Sequence, residues 1–500
     1  MISPTSWLRS LPNPITHQAG LAPVLRIIAV LLLVLAVMMS LPLILLLSEK
    51  GPDIRAFASS ILITLAVSGF LLVITRNSSM QLRPRQMFIL TVTSWLVFSA
   101  FASLPMILGS PQLSVADAVF EAVSGVTSTG ATVMVNLDTL SDGIKLWRGL
   151  LEWVGGVGII VMAIAILPFL KVGGMRLFNT ESSGWHDKIV PRAGGAAKAI
   201  GVTYLTQTAL AIATYWLLGM KPFDALVHGM TSVSTGGFAN YDDSFGEYAH
   251  NTPLLWACVV FMLSGALPFV LYLRMVTQRS FMIWRDQQVR GFFAIVLGVV
   301  VLMMIDRLVS TNGSFGHDLT EVTFNVVSVI TTTGYATSDY NDWGPFAVSL
   351  FFYLLFIGGC SGSTTGGMKI FRFQVGMIML ANQLRHLVHP AGVFAQRYNH
   401  RPLGDDIVRS VVAFSALFFF TVAALSVVLS AFGLDIETAL SASVTMLGNV
   451  GPGLGNMIGP AGNYHSMPET AKWVLAFAML LGRLEILTVL VLLTPAFWRS

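Results

Sequence analysis

The chain has 500 residues, of which 54% are hydrophobic and 11% charged, with a formal net charge of +4. Soluble domains carry roughly 25% charged residues, so this deficit excludes a soluble enzyme or binding module and places most of the chain in lipid. The positive balance sits in short loops between apolar runs, as membrane topology requires, and no nucleic-acid partner is expected.

Arg9 is followed by a Pro-rich polar stretch, so no cleavable leader is expected. Apolar runs long enough to span a bilayer, about 20 residues, then recur to the end. They fall at 25–47, 56–76, 88–109, 146–170, 196–219, 253–277, 289–311, 345–388, 404–432 and 470–498. The 345–388 run is too long for one span and is interrupted at Gly358–Gly367. Four shorter apolar segments, 115–127, 223–234, 317–330 and 436–447, lie between certain pairs. Each would be under about 20 Å as a helix, half a bilayer, which predicts re-entrant segments. No long soluble domain is visible, so a nucleotide-driven or regulatory domain is expected on a separate protein.

Charge counts predict the orientation. The linker at 76–87 carries Arg76, Arg83 and Arg85 and no acid. Basic residues also exceed acids at 171–198 (Lys171, Arg176, Lys188, Arg192 and Lys198), at 274–290 (Arg274, Arg279, Arg285 and Arg290) and at 385–409 (Arg385, Arg397, Arg401 and Arg409). These linkers are expected in the cytoplasm. Loops after two half-length segments carry Asp242, Asp243 and Glu247, and Asp339 and Asp342, without a basic partner, and are expected outside. Counting spans through this pattern places both termini inside.

A repeat emerges when the loops after the half-length segments are set in register. They read Thr127-Ser128-Thr129-Gly130, Ser234-Thr235-Gly236-Gly237, Thr331-Thr332-Thr333-Gly334 and Gly448-Asn449-Val450-Gly451. Thirteen residues before each aligned Gly stand Asp117, Asp224, Glu321 and Thr438, with the fourth acid displaced to Glu437. An acid or Thr there suits the first turn of a short helix. Non-helical backbone at membrane depth is tolerated only when buried in protein or lining a water-filled path. Gly permits φ > 0, so successive carbonyls can face one axis, and the negative helix ends ahead of them favour a cation. Rings of carbonyls replacing an ion's hydration are how K⁺ filters work. None of the four loops carries a charge, which argues against Ca²⁺-type carboxylate rings. Taken singly, each loop could be helix-packing glycine. Together they predict an all-α integral membrane protein with a carbonyl-lined pore.

On these motifs the chain resembles the TrkH/TrkG branch of the bacterial superfamily of potassium transporters, related to KtrB, over about residues 88–498. The resemblance implies four pseudo-symmetric, K⁺-channel-like repeats of helix, pore helix, filter loop and helix, plus two extra N-terminal transmembrane helices. Domain limits follow: a two-helix extension at 1–80 and pore repeats at 81–175, 176–280, 281–400 and 401–500. It implies filter glycines at Gly130, Gly237, Gly334 and Gly451, K⁺ as the transported ion at the filter residues only, and no cofactor on this chain. It also implies an inner-membrane homodimer working with a cytosolic TrkA-like nucleotide-binding gating ring. The fourth loop departs from the Thr-rich pattern through Asn449, Val450 and Pro452, which predicts weaker discrimination of K⁺ from Na⁺.

The interruption reads Gly358-Gly359-Cys360-Ser361-Gly362-Ser363-Thr364-Thr365-Gly366-Gly367. A phosphate-binding loop needs Gly-x4-Gly-Lys-Ser/Thr; here Met368 precedes Lys369 and no hydroxyl residue follows. A packing kink and a flexible intramembrane loop both remain; the resemblance implies a gate under the filter, with Lys369 and Arg372 toward the cytoplasmic end. Arg483 lies inside the last span, where an Arg is a functional hypothesis by default. It reads either as a charge barrier in the pore, as the resemblance implies, or as half of an ion pair, with Glu485 on a different helix face. Glu152 is expected to be a hydrogen-bond partner of a pore helix or between repeats, and His228 and His317 to be structural. Cys258 and Cys360 predict two buried thiols, neither a disulfide framework nor a metal cluster.

The functional expectation is K⁺ uptake through a channel-like pore. The alternatives are a symporter coupled to H⁺ or Na⁺, for which Arg483 and Glu152 are the titratable candidates, and, from other classes, a membrane enzyme or an assembly protein. No His/Asp/Glu cluster with ligand spacing supports an enzyme, so no catalytic residue is assigned.

Overall fold

The structure, a computed structural model, describes residues 20–78, 82–165, 193–278, 282–310, 313–399 and 401–499. Most of the basic linker at 171–198 and Arg279 lie outside them. Among the described residues helices dominate, and five are long and apolar enough to cross a membrane, or up to seven when each of two bent pairs counts as one span.

Two long helices, α1 (Ala22–Glu49) and α2 (Ile54–Ile74), come first. α3 (Pro84–Ala102) and α4 (Leu104–Leu108) follow, and α1 packs on α2, α3 and the later α6. Four half-length helices then appear where the sequence predicts them: α5 (Val115–Val126), α8 (Pro222–Val233), α12 (Phe315–Ile330) and α16 (Ile436–Gly448). The helices around them are α6 (Asp142–Ala165), α7 (Ala193–Leu217), α9 (Thr252–Gly265), α10 (Phe269–Gln278), α11 (Gln287–Ser310), α13 (Pro345–Leu354), α14 (Ile370–Val388), α15 (Asp405–Ala431), α17 (Glu469–Arg483) and α18 (Ile486–Leu493). Three of the half-length helices pack on the long helix before them: α8 on α7, α12 on α11 and α16 on α15. The arrangement also closes sideways, because α8 contacts α6, α12 contacts α9, and α5 contacts α17.

Local chemistry starts the short helices. The Ser114 hydroxyl caps α5 by accepting the Asp117 amide at 3.2 Å. Asp435 caps α16 through the Thr438 amide at 3.0 Å, and that bond holds its exposed carboxyl below the usual range. Asp117, Asp224 and Thr438 stand in first turns as expected. Glu321 does not: α12 begins at Phe315, so Asp318 takes the first turn and Glu321 the second. Both acids accept from Arg307, at 3.3 Å and 3.0 Å.

Two runs expected to be continuous spans are broken. Residues 253–277 bend by 97° between α9 and α10, and 470–498 bend by 109° between α17 and α18. Pro268 lacks the amide that would continue the first helix. The second break falls at Glu485, whose backbone is left-handed (φ 60°). Apolar residues continue on both sides of each break, which is why neither was legible as an end.

Candidate functional site

The four aligned glycines form a closed ring. A Cβ built on Gly130 would lie 2.2 Å from the Gly236 carbonyl oxygen, on Gly237 1.8 Å from that of Thr333, on Gly334 2.3 Å from that of Val450, and on Gly451 2.6 Å from that of Thr129. Each glycine thus presses on the carbonyl just before the aligned glycine of the next loop, and the fourth returns to the first. All four have positive φ, between 79° and 107°, where a side chain is strained as well as obstructed.

A second set of left-handed residues repeats around the ring. Two positions before each glycine stand Ser128, Thr235, Thr332 and Asn449, all with φ between 51° and 54°. β-branched residues are genuine outliers there, and such strain persists only where the surroundings over-determine it. The supporting bonds repeat too: the amides of Thr129, Gly236, Thr333 and Val450 donate to the carbonyls of Ser124, Thr231, Ser328 and Thr445 at 2.8–3.0 Å. Alternating the hand of successive residues turns neighbouring carbonyls to one side. The sequence places these four residues in the filter loops but not their left-handed backbone, because nothing in a Thr or Ser announces φ > 0.

Thr127, Ser234 and Thr331 cap the ends of α5, α8 and α12, whereas in the fourth loop Gly448 is still helical. Asn449 compensates by reaching to the neighbouring first loop: its amide nitrogen donates to Thr129 Oγ1 at 3.0 Å and to the Met479 carbonyl at 2.9 Å. The glycine ring opens on one cavity, lined also by Thr132, Arg148, Asp242 and Tyr464.

Another cavity is lined by Thr365, Gly366, Lys369, Phe414, Leu447 and Arg483. Residues 358–367 form neither a helix nor a loose strap. Gly358 and Met368 share a backbone bond of 3.0 Å, Gly359 donates to Thr365 Oγ1 at 3.1 Å, and Ser363 Oγ lies 2.8 Å from Thr365 Oγ1. Gly367 supplies the left-handed turn (φ 66°) that leads back out. The loop also satisfies the broken end of α9, since Thr364 donates its amide to the Gly265 carbonyl and Cys360 its amide to that of Ala266. In return Phe269, which opens α10, donates to the Gly362 carbonyl at 3.0 Å. Unsatisfied carbonyls at a buried helix end are costly, so the break and the loop depend on each other.

The loop is bonded directly to the strained ring. Thr235 Oγ1 donates to Thr364 Oγ1 at 3.1 Å, and the Gly366 amide donates to Thr332 Oγ1 at 2.8 Å. Arg483 lies alongside, 3% exposed, donating to the Thr364 carbonyl at 2.8 Å, Ser128 Oγ at 3.3 Å and the Gly155 carbonyl at 3.4 Å. It forms no ion pair among the described residues. Glu485 instead pairs with Arg372 at 2.7 Å, while the Arg372 guanidinium stacks 3.6 Å from the Phe414 ring. Lys369, expected toward the cytoplasmic end, folds back on the loop, donating to Thr365 Oγ1 at 3.0 Å and to the Thr365 carbonyl.

Glu152 is the link between loops that the sequence suggests: both carboxylate oxygens accept the Phe238 amide at 3.1 Å. His228 is buried, bonded to the Asp224 carbonyl at 2.9 Å and packed on Phe245, whereas His317 is exposed. The two thiols are buried. One buried pair went unnoticed: Arg148 donates to Glu121 at 2.8 Å and to the Ala239 carbonyl at 3.0 Å, and lies 4.1 Å over the Phe238 ring. Its signal was an Arg within an apolar run opposite an acid in a half-length helix.

A family model described as TrkH, cation transport protein, matches residues 53–500. The chain belongs to the TrkH cation transport family. It is 58% identical over 479 residues to the Trk system potassium uptake protein TrkI of Halomonas elongata, covering 96% of this chain and 97% of that protein. Identity to the potassium uptake protein TrkH of Escherichia coli strain K12 is 35%, over 95% of this chain and 99% of that one. The crystal structure of the potassium transporter TrkH from Vibrio parahaemolyticus superposes with a TM-score of 0.88 at 34% identity, covering 96% of this chain and 99% of that chain. These relatives of the TrkH-family chain are named as transporters rather than enzymes, and the chain is a multi-pass membrane protein.

Proposed function

We propose that this TrkH-family chain takes up K⁺ across the bacterial inner membrane through a channel-like pore. The glycine ring is its selectivity filter, built by four pseudo-symmetric repeats, with α1 and α2 as an N-terminal extension. The observation that carries this reading is the cyclic closure of the ring, with left-handed backbone at the same two positions of every loop. Stacked carbonyls are the ligand set for a dehydrated monovalent cation, and K⁺ is the cargo held there. The names and high identity of the relatives support K⁺ as the ion. Residues 358–367 and Arg483 are the gate, since both lie against the ring and Arg483 places a positive charge beside it. The basic linkers support cytoplasmic termini. A homodimer and a cytosolic TrkA-like nucleotide-binding ring complete the assembly.

Currents from the purified protein in a planar bilayer test the mechanism. With K⁺ as the permeant ion, the reversal potential should follow the K⁺ gradient by about 59 mV per tenfold change and ignore a pH gradient. A reversal potential that moves with pH at fixed K⁺ would establish coupled symport instead.

A further inference from the structure

A crevice opens between α1, α3 and α6, away from the glycine ring. Leu31, Leu90, Phe98 and Met162 wall it, and Val126 and Gly155 form its floor behind the first loop. The hydroxyls on its wall do not disturb its apolar character, because Thr91 and Ser94 bond carbonyls of their own helix, at 2.8 Å and 3.1 Å. Gly158 keeps it open: a Cβ added there would meet nothing within 4 Å. The walls α1 and α3 belong to helices long and apolar enough to cross a membrane, so the crevice faces hydrocarbon.

Beyond the crevice lining, the starts of α1 and α3, a turn or two before Leu31 and Leu90, carry Arg26 and Arg83. Arg26 donates to the carbonyls of Arg76 and Ser78, and Gln86 donates to that of Gly20 at 2.6 Å. These bonds gather the starts of α1 and α3 and the end of α2, the segments that carry Arg26, Arg76 and Arg83. No Asp or Glu precedes Glu49 and none lies between Asp53 and Asp117, so no neighbouring acid along these segments offsets that charge. Two helix N-termini, those of α1 and α3, add positive dipole ends at the same corner.

We infer that the crevice holds an anionic glycerophospholipid, one acyl chain lying against Leu31, Leu90 and Phe98 and the phosphate meeting Arg26 and Arg83. Basic corners between spanning helices attract anionic headgroups, and a dry apolar slot accepts the chain without stranding a polar group. Neither half suffices alone. The charge selects the headgroup and the slot holds the lipid against exchange.

Native mass spectrometry of the purified full chain, titrated with phosphatidylglycerol and with phosphatidylcholine of the same acyl chains, tests this independently of transport. Phosphatidylglycerol should bind about tenfold or more tightly. Gly158→Phe should abolish retention of both lipids, and Arg26→Gln with Arg83→Gln should remove the preference while keeping acyl binding. Equal binding of the two lipids by the unaltered chain, or unchanged retention by Gly158→Phe, would overturn the inference. If Gly158→Phe does not fold, an undiminished preference in the double-arginine variant overturns it as well.

Discussion

Among single residues, Arg148 and Glu121 show how a buried charge can hold the chain without touching the ring. Arg148 spends its donors on Glu121, the Ala239 carbonyl and Thr132, while Glu121 also accepts the Val133 amide at 2.9 Å. The pair therefore ties the segments beyond the first two loops to α5 and α6. Removing one member leaves the other buried and uncompensated, which costs about 3–5 kcal/mol. Arg148→Met should lower stability by that order in denaturant titrations in detergent, and Glu121→Gln with Arg148→Met should recover more than half of it. Additive losses in the double variant would show that the two side chains are not coupled. The sequence hinted at this pair only weakly, because an Arg near the end of an apolar run also reads as an interfacial residue.

On the scale of elements, the intramembrane loop and the broken helices form one device. α9 ends because Pro268 cannot continue it, and its last carbonyls are taken by the amides of Thr364 and Cys360. The same loop hydrogen-bonds Thr235 and Thr332, two of the four left-handed residues behind the glycines, while Arg483 bonds a third, Ser128. Displacing the loop therefore opens the cavity it lines and also removes restraints from two of the four loops. Deleting several residues within 358–367 should raise ⁸⁶Rb⁺ flux in proteoliposomes and lower the ratio of Rb⁺ to Na⁺ permeation. A correctly folded deletion that is silent would contradict the gate assignment, and a higher flux at unchanged selectivity would separate the loop from the ring. Composition made the interruption legible, since ten residues rich in Gly and hydroxyls cannot form an apolar span. What it could not give was the loop's partners, because hydrogen bonds between segments 34 to 131 residues apart leave no local pattern. Both bends were hidden for a related reason: apolar residues continue on either side of Pro268 and Glu485, and only tertiary contacts fix the angle.

For the whole molecule, the central claim is that four sequence segments make one ring for a cation. The half-length helices and the register of Gly130, Gly237, Gly334 and Gly451 were readable because length and spacing are one-dimensional properties. The order in which the loops meet was not, yet it is the closure from Gly451 back to the Thr129 carbonyl that turns four loops into one ring. The unequal fourth loop fits the same ring by other means, with Asn449 bracing Thr129 of the adjacent first loop. The most direct test compares ⁸⁶Rb⁺ flux in proteoliposomes bearing the unaltered chain with flux through Gly334→Ser. The serine Cβ would press on the Val450 carbonyl at 2.3 Å from a left-handed backbone, so Rb⁺ flux should fall or Na⁺ permeation should rise. Equal Rb⁺ flux with unchanged exclusion of Na⁺ in the two proteins would contradict the filter.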